Sequence, residues 1–100
     1  MGFNIFYHKD ALKDLEQIKF KIPEDPSFIL KKIESILSIN PFPHGLTTKK
    51  LKSIQPVMYR LRVNGIISYR VFYRIIENSI YILNIVSKKD SDKVLRKYLQ

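Results

Sequence analysis

The chain has 100 residues, a formal net charge of +9, 45% hydrophobic residues and no cysteine. That length suits one hydrophobic core, so residues 1–100 are expected to form one domain. The missing cysteines exclude a disulfide framework and any thiolate metal site, and they suit a reducing, cytoplasmic compartment. The apolar runs are too short to span a bilayer and the first residues lack the pattern of a signal peptide, so no membrane association is expected.

The charge is concentrated in the second half. Residues 1–45 hold six basic and six acidic side chains, whereas residues 46–100 hold twelve basic ones against Glu77, Asp90 and Asp92. A field of one sign on one part of a fold suits a polyphosphate, because each neutralised phosphate releases condensed counterions. RNA or DNA is therefore the expected class of partner.

In chain order, Phe3 to His8 reads as a short strand. Ala11, Leu12, Leu15 and Ile18 then recur at the spacing of a helix. Pro23 and Pro26 mark a turn, after which Ser27 is the expected cap of a second helix with Phe28, Ile29, Ile33, Ile36 and Leu37 on one stripe. Asn40-Pro41 ends it, and the two helices should form an antiparallel hairpin. Pro41 to Gly45 is a rigid loop, and Lys49 to Lys52 is a short strand or the approach to one. Val57 to Val63, Ile67 to Ile76 and Ile80 to Val86 alternate as the strands of a β-meander, with turns at Asn64-Gly65 and Glu77-Asn78. Ser87 to Gln100 reads as a loop and a short helix.

Alternation puts Tyr59, Leu61 and Val63 on one face of the first meander strand, with Met58, Arg60 and Arg62 on the other. On the next strand Tyr69, Val71, Tyr73 and Ile75 oppose Arg70, Phe72 and Arg74. If the tyrosine rows face the helices, the four arginines share the opposite side. For that pairing the Asn64-Gly65 connection must hold an odd number of residues, which predicts a three-residue or bulged hairpin. Lys49, Lys50, Lys52, Lys88 and Lys89 lie at the ends of neighbouring strands and are expected to extend one basic concavity. Guanidinium groups add bidentate phosphate contacts and base stacking. Phe72, on the arginine face, is the expected base-stacking side chain.

Lys50-Leu51-Lys52, Tyr59-Arg60-Leu61-Arg62-Val63, Tyr69-Arg70-Val71-Phe72-Tyr73 and the Lys88-Lys89 pair after the last strand resemble the RelE/ParE toxin superfamily, most of all its RelE and HigB-like branch. The resemblance covers essentially the whole chain. It implies an α+β, RelE-like fold: an N-terminal strand and helical hairpin packed on a twisted, mainly antiparallel sheet, in the order β-α-α-β-β-β with a short C-terminal helix. It also implies the toxin of a type II toxin-antitoxin pair, a ribosome-dependent endoribonuclease that cuts mRNA in the A site by metal-independent attack of the 2′-hydroxyl. Its implied partners are a cognate acidic antitoxin, mRNA and 16S rRNA, with no cofactor.

By position, the resemblance makes Arg62, Arg70, Lys89 and Tyr98 the catalytic set. Lys49, Lys50, Lys52, Arg60, Phe72, Arg74 and Lys88 form the RNA-binding set. Leu95 stands where RelE-like nucleases carry a tyrosine, and Tyr98, about one helical turn on, is expected to take its part. Lysine replaces arginine at position 89. The general base is open among Tyr98, a lysine of depressed pKa, Asp90 and Asp92. His8 and His44 have no partner at metal-ligand spacing, and no metal site is expected. The alternative functions are a ParE-like inhibitor of DNA gyrase or a toxin fold without catalysis that holds a partner.

Overall fold

In the computed structural model, which describes residues 2–45 and 47–99, the elements are β1 (Asn4–Tyr7), α1 (Lys9–Lys21), α2 (Asp25–Leu37), β2 (Thr48–Leu51), β3 (Met58–Asn64), β4 (Ser68–Ile76), β5 (Ser79–Ser87), a 3-10 turn (Lys88–Asp90) and α3 (Ser91–Leu95). The strands form one sheet in the order β1-β5-β4-β3-β2. Among the described residues only the β1–β5 pair is parallel. The Lys49 segment is thus a strand, and it occupies one edge while β1 occupies the other.

One face of the sheet carries the main core. Ala11 and Leu15 of α1 and Ile29, Ile33 and Leu37 of α2 pack on Leu61, Val63, Tyr69, Val71, Tyr73, Ile80, Ile82 and Ile85. These are the apolar helix stripes and the tyrosine-bearing strand rows, brought together because neither can bury its apolar surface alone. The tyrosine hydroxyls find acceptors at the rim: Tyr73 donates to the Pro41 carbonyl at 2.7 Å and Tyr69 to Asp25 Oδ2 at 2.6 Å.

The helix starts differ from each other. His8 caps α1, its Nδ1 accepting the Asp10 N–H at 3.1 Å. In α2 the cap residue is Glu24, with no side-chain cap, and Ser27 lies inside the first turn rather than at the expected cap. Pro26 explains the shift, since a proline near the helix start needs no amide donor and its fixed φ suits the first turn.

The β3–β4 connection has three residues, Gly65 to Ile67, between the paired Asn64 and Ser68. The odd length keeps the tyrosine rows on the helix side, as the alternation requires. Asp25, buried at the start of α2, reaches under this turn and accepts the Ile66 N–H at 3.1 Å. A Cβ at Gly65 would stand 2.8 Å from Asp25 Oδ1, so the close approach needs glycine there.

The opposite face is partly covered as well. Ile54, Met58 and Phe72 form a second buried cluster beneath Leu51, Leu83, Val86, Val94, Leu95 and Tyr98, which brings α3 and its exit onto the arginine side of the sheet.

Candidate nucleic-acid interface

Residues directly opposed in a sheet share a face. Lys49, Arg60, Phe72 and Asn84 form one such row across β2, β3, β4 and β5, and Arg62, Arg70 and Val86 form the next. Arg62 and Arg70 are thus a direct cross-strand pair, with Arg60 one pleat away. Arg62 is exposed, Arg60 half-buried and Arg70 only 7% exposed. Arg70 Nη1 donates to the Tyr69 carbonyl at 3.0 Å, which fixes the guanidinium over its own strand.

Among the described residues no carboxylate lies within 4.0 Å of these guanidiniums. Burial, then the charge of Arg62, pulls the pKa of Arg70 down; burial, then Arg62 and Arg70, does the same to Arg60. Arginine still remains charged at any ordinary pH. The groups repel one another at close range, and an anion placed between them relieves that cost. A recess of about 220 Å³ lined by Gly45, Thr48, Lys49, Arg60 and Arg62 opens beside the pair.

The lysines do not all join this face. Lys49 opposes Arg60 and belongs to it, but Lys50 opposes Tyr59 and so falls on the other face, because neighbours along a strand alternate. Lys52 sits in the turn just after β2, exposed. Lys88 and Lys89 occupy the 3-10 turn after Ser87, which pairs with Tyr69, so both lie at the sheet end that carries Arg62 and Arg70. Lys89 lines a separate cleft of about 280 Å³ on the α1 side, together with Asp14, Lys21, Tyr69, Ser87 and Asp90. The single basic concavity expected from the sequence is therefore divided, with the arginine pair on one side of the sheet end and Lys89 reaching toward the other.

Phe72 departs furthest from expectation. It is fully buried in the second cluster and offers no ring face to a base. The reason is the C-terminal segment: Leu95 and Tyr98 pack over it, and Leu95 fills the position of the expected tyrosine as part of that apolar cover. Tyr98 instead brings a phenol to this face. Its hydroxyl donates to Asn84 Oδ1 at 2.5 Å, and the Arg74 guanidinium lies 5.9 Å from its ring centroid, within cation–π range. Desolvation raises the Tyr98 pKa, with Arg74 opposing and Asp10 and Asp14 adding to the rise, so the phenol keeps its proton at neutral pH.

Asn84 is no candidate by motif or charge, and its sequence signal is weak. That signal is the spacing of Ile80, Ile82 and Ile85, which breaks the period of two inside an otherwise apolar strand. Asp90 accepts the Ser87 hydroxyl at 3.2 Å, and Asp92 is exposed in the first turn of α3. The histidines are tied up locally: His8 caps α1, and His44 Nε2 lies 3.1 Å from the Asn40 carbonyl within its own loop.

Comparison with known folds shows the same architecture. The chain superposes on a YoeB dimer structure from Staphylococcus aureus with a TM-score of 0.64 at 24% identity, over 84% of this chain and 94% of that one. It matches an arginine double mutant of the E. coli toxin RelE in the free state with a TM-score of 0.67 at 15% identity, over 99% and 100% of the two chains. It matches the RelB–RelE antitoxin–toxin complex from Methanococcus jannaschii at 0.59 and 21% identity, over 89% and 96%. Comparison with curated proteins gave no match. Residues 5–91 match the family model described as the ParE toxin of the type II toxin-antitoxin system parDE. The chain therefore belongs to the ParE toxin family of type II toxin-antitoxin systems, within the RelE/ParE superfamily.

Proposed function

We propose that this toxin is a ribosome-dependent mRNA endoribonuclease acting in the cytoplasm. The observation that carries the reading is the directly opposed Arg62–Arg70 pair with Arg60 beside it, a guanidinium cluster with no carboxylate partner among the described residues. Such a cluster suits a phosphodiester whose charge grows during reaction, because fixed donors in a partly dry site stabilise developing charge without reorganising.

In the proposed step the 2′-hydroxyl oxygen attacks the adjacent phosphorus, the bond from phosphorus to the 5′-oxygen breaks, and a 2′,3′-cyclic phosphate and a 5′-hydroxyl result. The 2′-hydroxyl gives up one proton to solvent and the leaving 5′-oxygen gains one. Arg70 and Arg62 hold the non-bridging oxygens, Arg60 and Lys49 hold the neighbouring backbone, and Lys88 and Lys89 hold the strand at the sheet end. Tyr98, protonated at neutral pH, fits the donor of a proton to the 5′-oxygen rather than a base. An acidic antitoxin covering the arginine face would neutralise it; the RelB–RelE complex supplies a structural relative in which a toxin is held by its antitoxin.

A second reading is inhibition of DNA gyrase, favoured by the match to the ParE family model. The two are separated by adding purified toxin to translating ribosomes programmed with a defined mRNA, and in parallel to a gyrase supercoiling reaction. Cuts within codons with supercoiling intact support the nuclease. Blocked supercoiling with intact mRNA supports the gyrase reading.

A further inference from the structure

Ile82 and Ile85 both point into the main core although they lie three residues apart, which a regular strand forbids. The ladder shows why: Phe72 pairs with Asn84 while Tyr73 pairs with Ile82, so Leu83 is an extra residue in β5. The bulge turns two consecutive side chains away from the helices. Leu83 joins the second cluster, and Asn84 meets the Tyr98 hydroxyl at 2.5 Å. Bulges beside functional sites commonly serve to re-aim one side chain in this way.

The same stretch is anchored from α1. Beyond Ile82 the strand β5 has no β1 partner, because β1 ends at Tyr7. Asp14 supplies the missing acceptor, its Oδ2 taking the Ile85 N–H at 2.9 Å. Burial raises the Asp14 pKa, whereas the Ile85 amide and then the Asn84 side chain lower it. A chain of contacts thus runs from Asp14 through the bulge to Asn84 and the phenol, with Arg74 on the ring.

We propose that Asn84 is a positioning residue for Tyr98, with the Leu83 bulge and Asp14 holding the amide where it fixes the phenol above Phe72. The inference rests on the nuclease reading. With its hydroxyl on Asn84 the ring is held against the second cluster. Rotation about the Cζ–Oη bond alone then moves the proton from Asn84 Oδ1 toward the leaving oxygen. The 5′-oxygen takes the proton that Tyr98 gives up, and the phenolate then regains one from water, which balances the proton that the 2′-hydroxyl released, so no co-reactant is required.

The test is a double-mutant cycle on cleavage of ribosome-bound mRNA by the purified full chain, using wild type, Asn84→Ala, Tyr98→Phe and the double variant, with thermal melting of each. Both single variants are expected to lower kcat by about ten- to a hundredfold at unchanged KM, and the double variant is expected to be no slower than Tyr98→Phe. Losses that multiply in the double variant, an unchanged kcat in Asn84→Ala, or an unchanged kcat in Tyr98→Phe would each overturn the positioning role. A lowered melting temperature with full kcat for the folded protein would assign Asn84 to stability alone. Failure of the wild type to cut mRNA would instead remove the nuclease reading itself, and this inference with it.

Discussion

The Tyr69 hydroxyl donates to Asp25 Oδ2 at 2.6 Å, joining the first turn of α2 to the strand that carries Arg70. The same carboxylate takes the Ile66 N–H, so one buried side chain fixes both the helix start and the β3–β4 turn. Asp25→Ala is expected to cost about 2–4 kcal/mol, since it leaves two donors unpaired inside the protein. Tyr69→Phe should cost less, about 1 kcal/mol, because it removes a donor and leaves an acceptor that still holds Ile66. Urea midpoints of the two variants decide the order; equal losses would contradict it.

Alkaline pH should unfold the protein early. Burial raises the pKa of Tyr7, Tyr69 and Tyr73 above the ordinary tyrosine value, with Glu34 adding to Tyr7, Asp25 to Tyr69 and Tyr59 to Tyr73. A raised folded-state pKa means that the neutral phenol is favoured by folding. Its contribution is complete below the unfolded value of about 10 and is lost as pH climbs above that value. Stability measured by urea at pH 8, 10 and 11 is expected to hold to pH 10 and then fall. Tyr73→Phe should flatten the fall.

Phe72 is a core residue here and not a stacking platform. Phe72→Leu is expected to cost about 1–2 kcal/mol of stability through imperfect refilling of its site. RNA affinity of the folded variant should match wild type. A selective loss of affinity at unchanged melting temperature would restore the stacking role.

The register separates two adjacent lysines. Lys49 lies in the arginine row and Lys50 on the other face of β2, so Lys49→Ala should weaken single-stranded RNA binding more than Lys50→Ala. Loss of one phosphate contact should also reduce the slope of log Kd against log salt by about 0.7. Equal effects of the two substitutions would mean that RNA runs along the β2 edge rather than across the arginine face.

Much of this architecture can be read directly from the alternation of Val57 to Ile76. Period two assigns the tyrosines and arginines to opposite faces, and parity demands a connection of odd length at Asn64-Gly65, which the three residues between the paired Asn64 and Ser68 supply. What escapes is what depends on distant packing. Nothing local to Phe72 announces that Leu95 and Tyr98 return to cover it, since that contact joins segments more than twenty residues apart. The bulge at Leu83 likewise shows only as a broken period at Ile85, a signal that a short apolar strand easily hides. Lys50 is a different case: it neighbours Lys49 in sequence, but period two sends the two side chains to opposite faces of β2.

Mapping cut sites in cells shows whether RNA is cut at the arginine face. Wild type, Arg62→Ala and Arg70→Ala would be induced with translation active or blocked, and an abundant mRNA read by primer extension, with melting curves of the purified variants as the check on folding. Cuts within codons are expected that require translation and vanish in both variants, with Arg62→Ala still folding because its side chain is exposed. Cuts that persist in a folded Arg62→Ala, or growth arrest by the wild type without any cuts, would contradict cleavage at the arginine face.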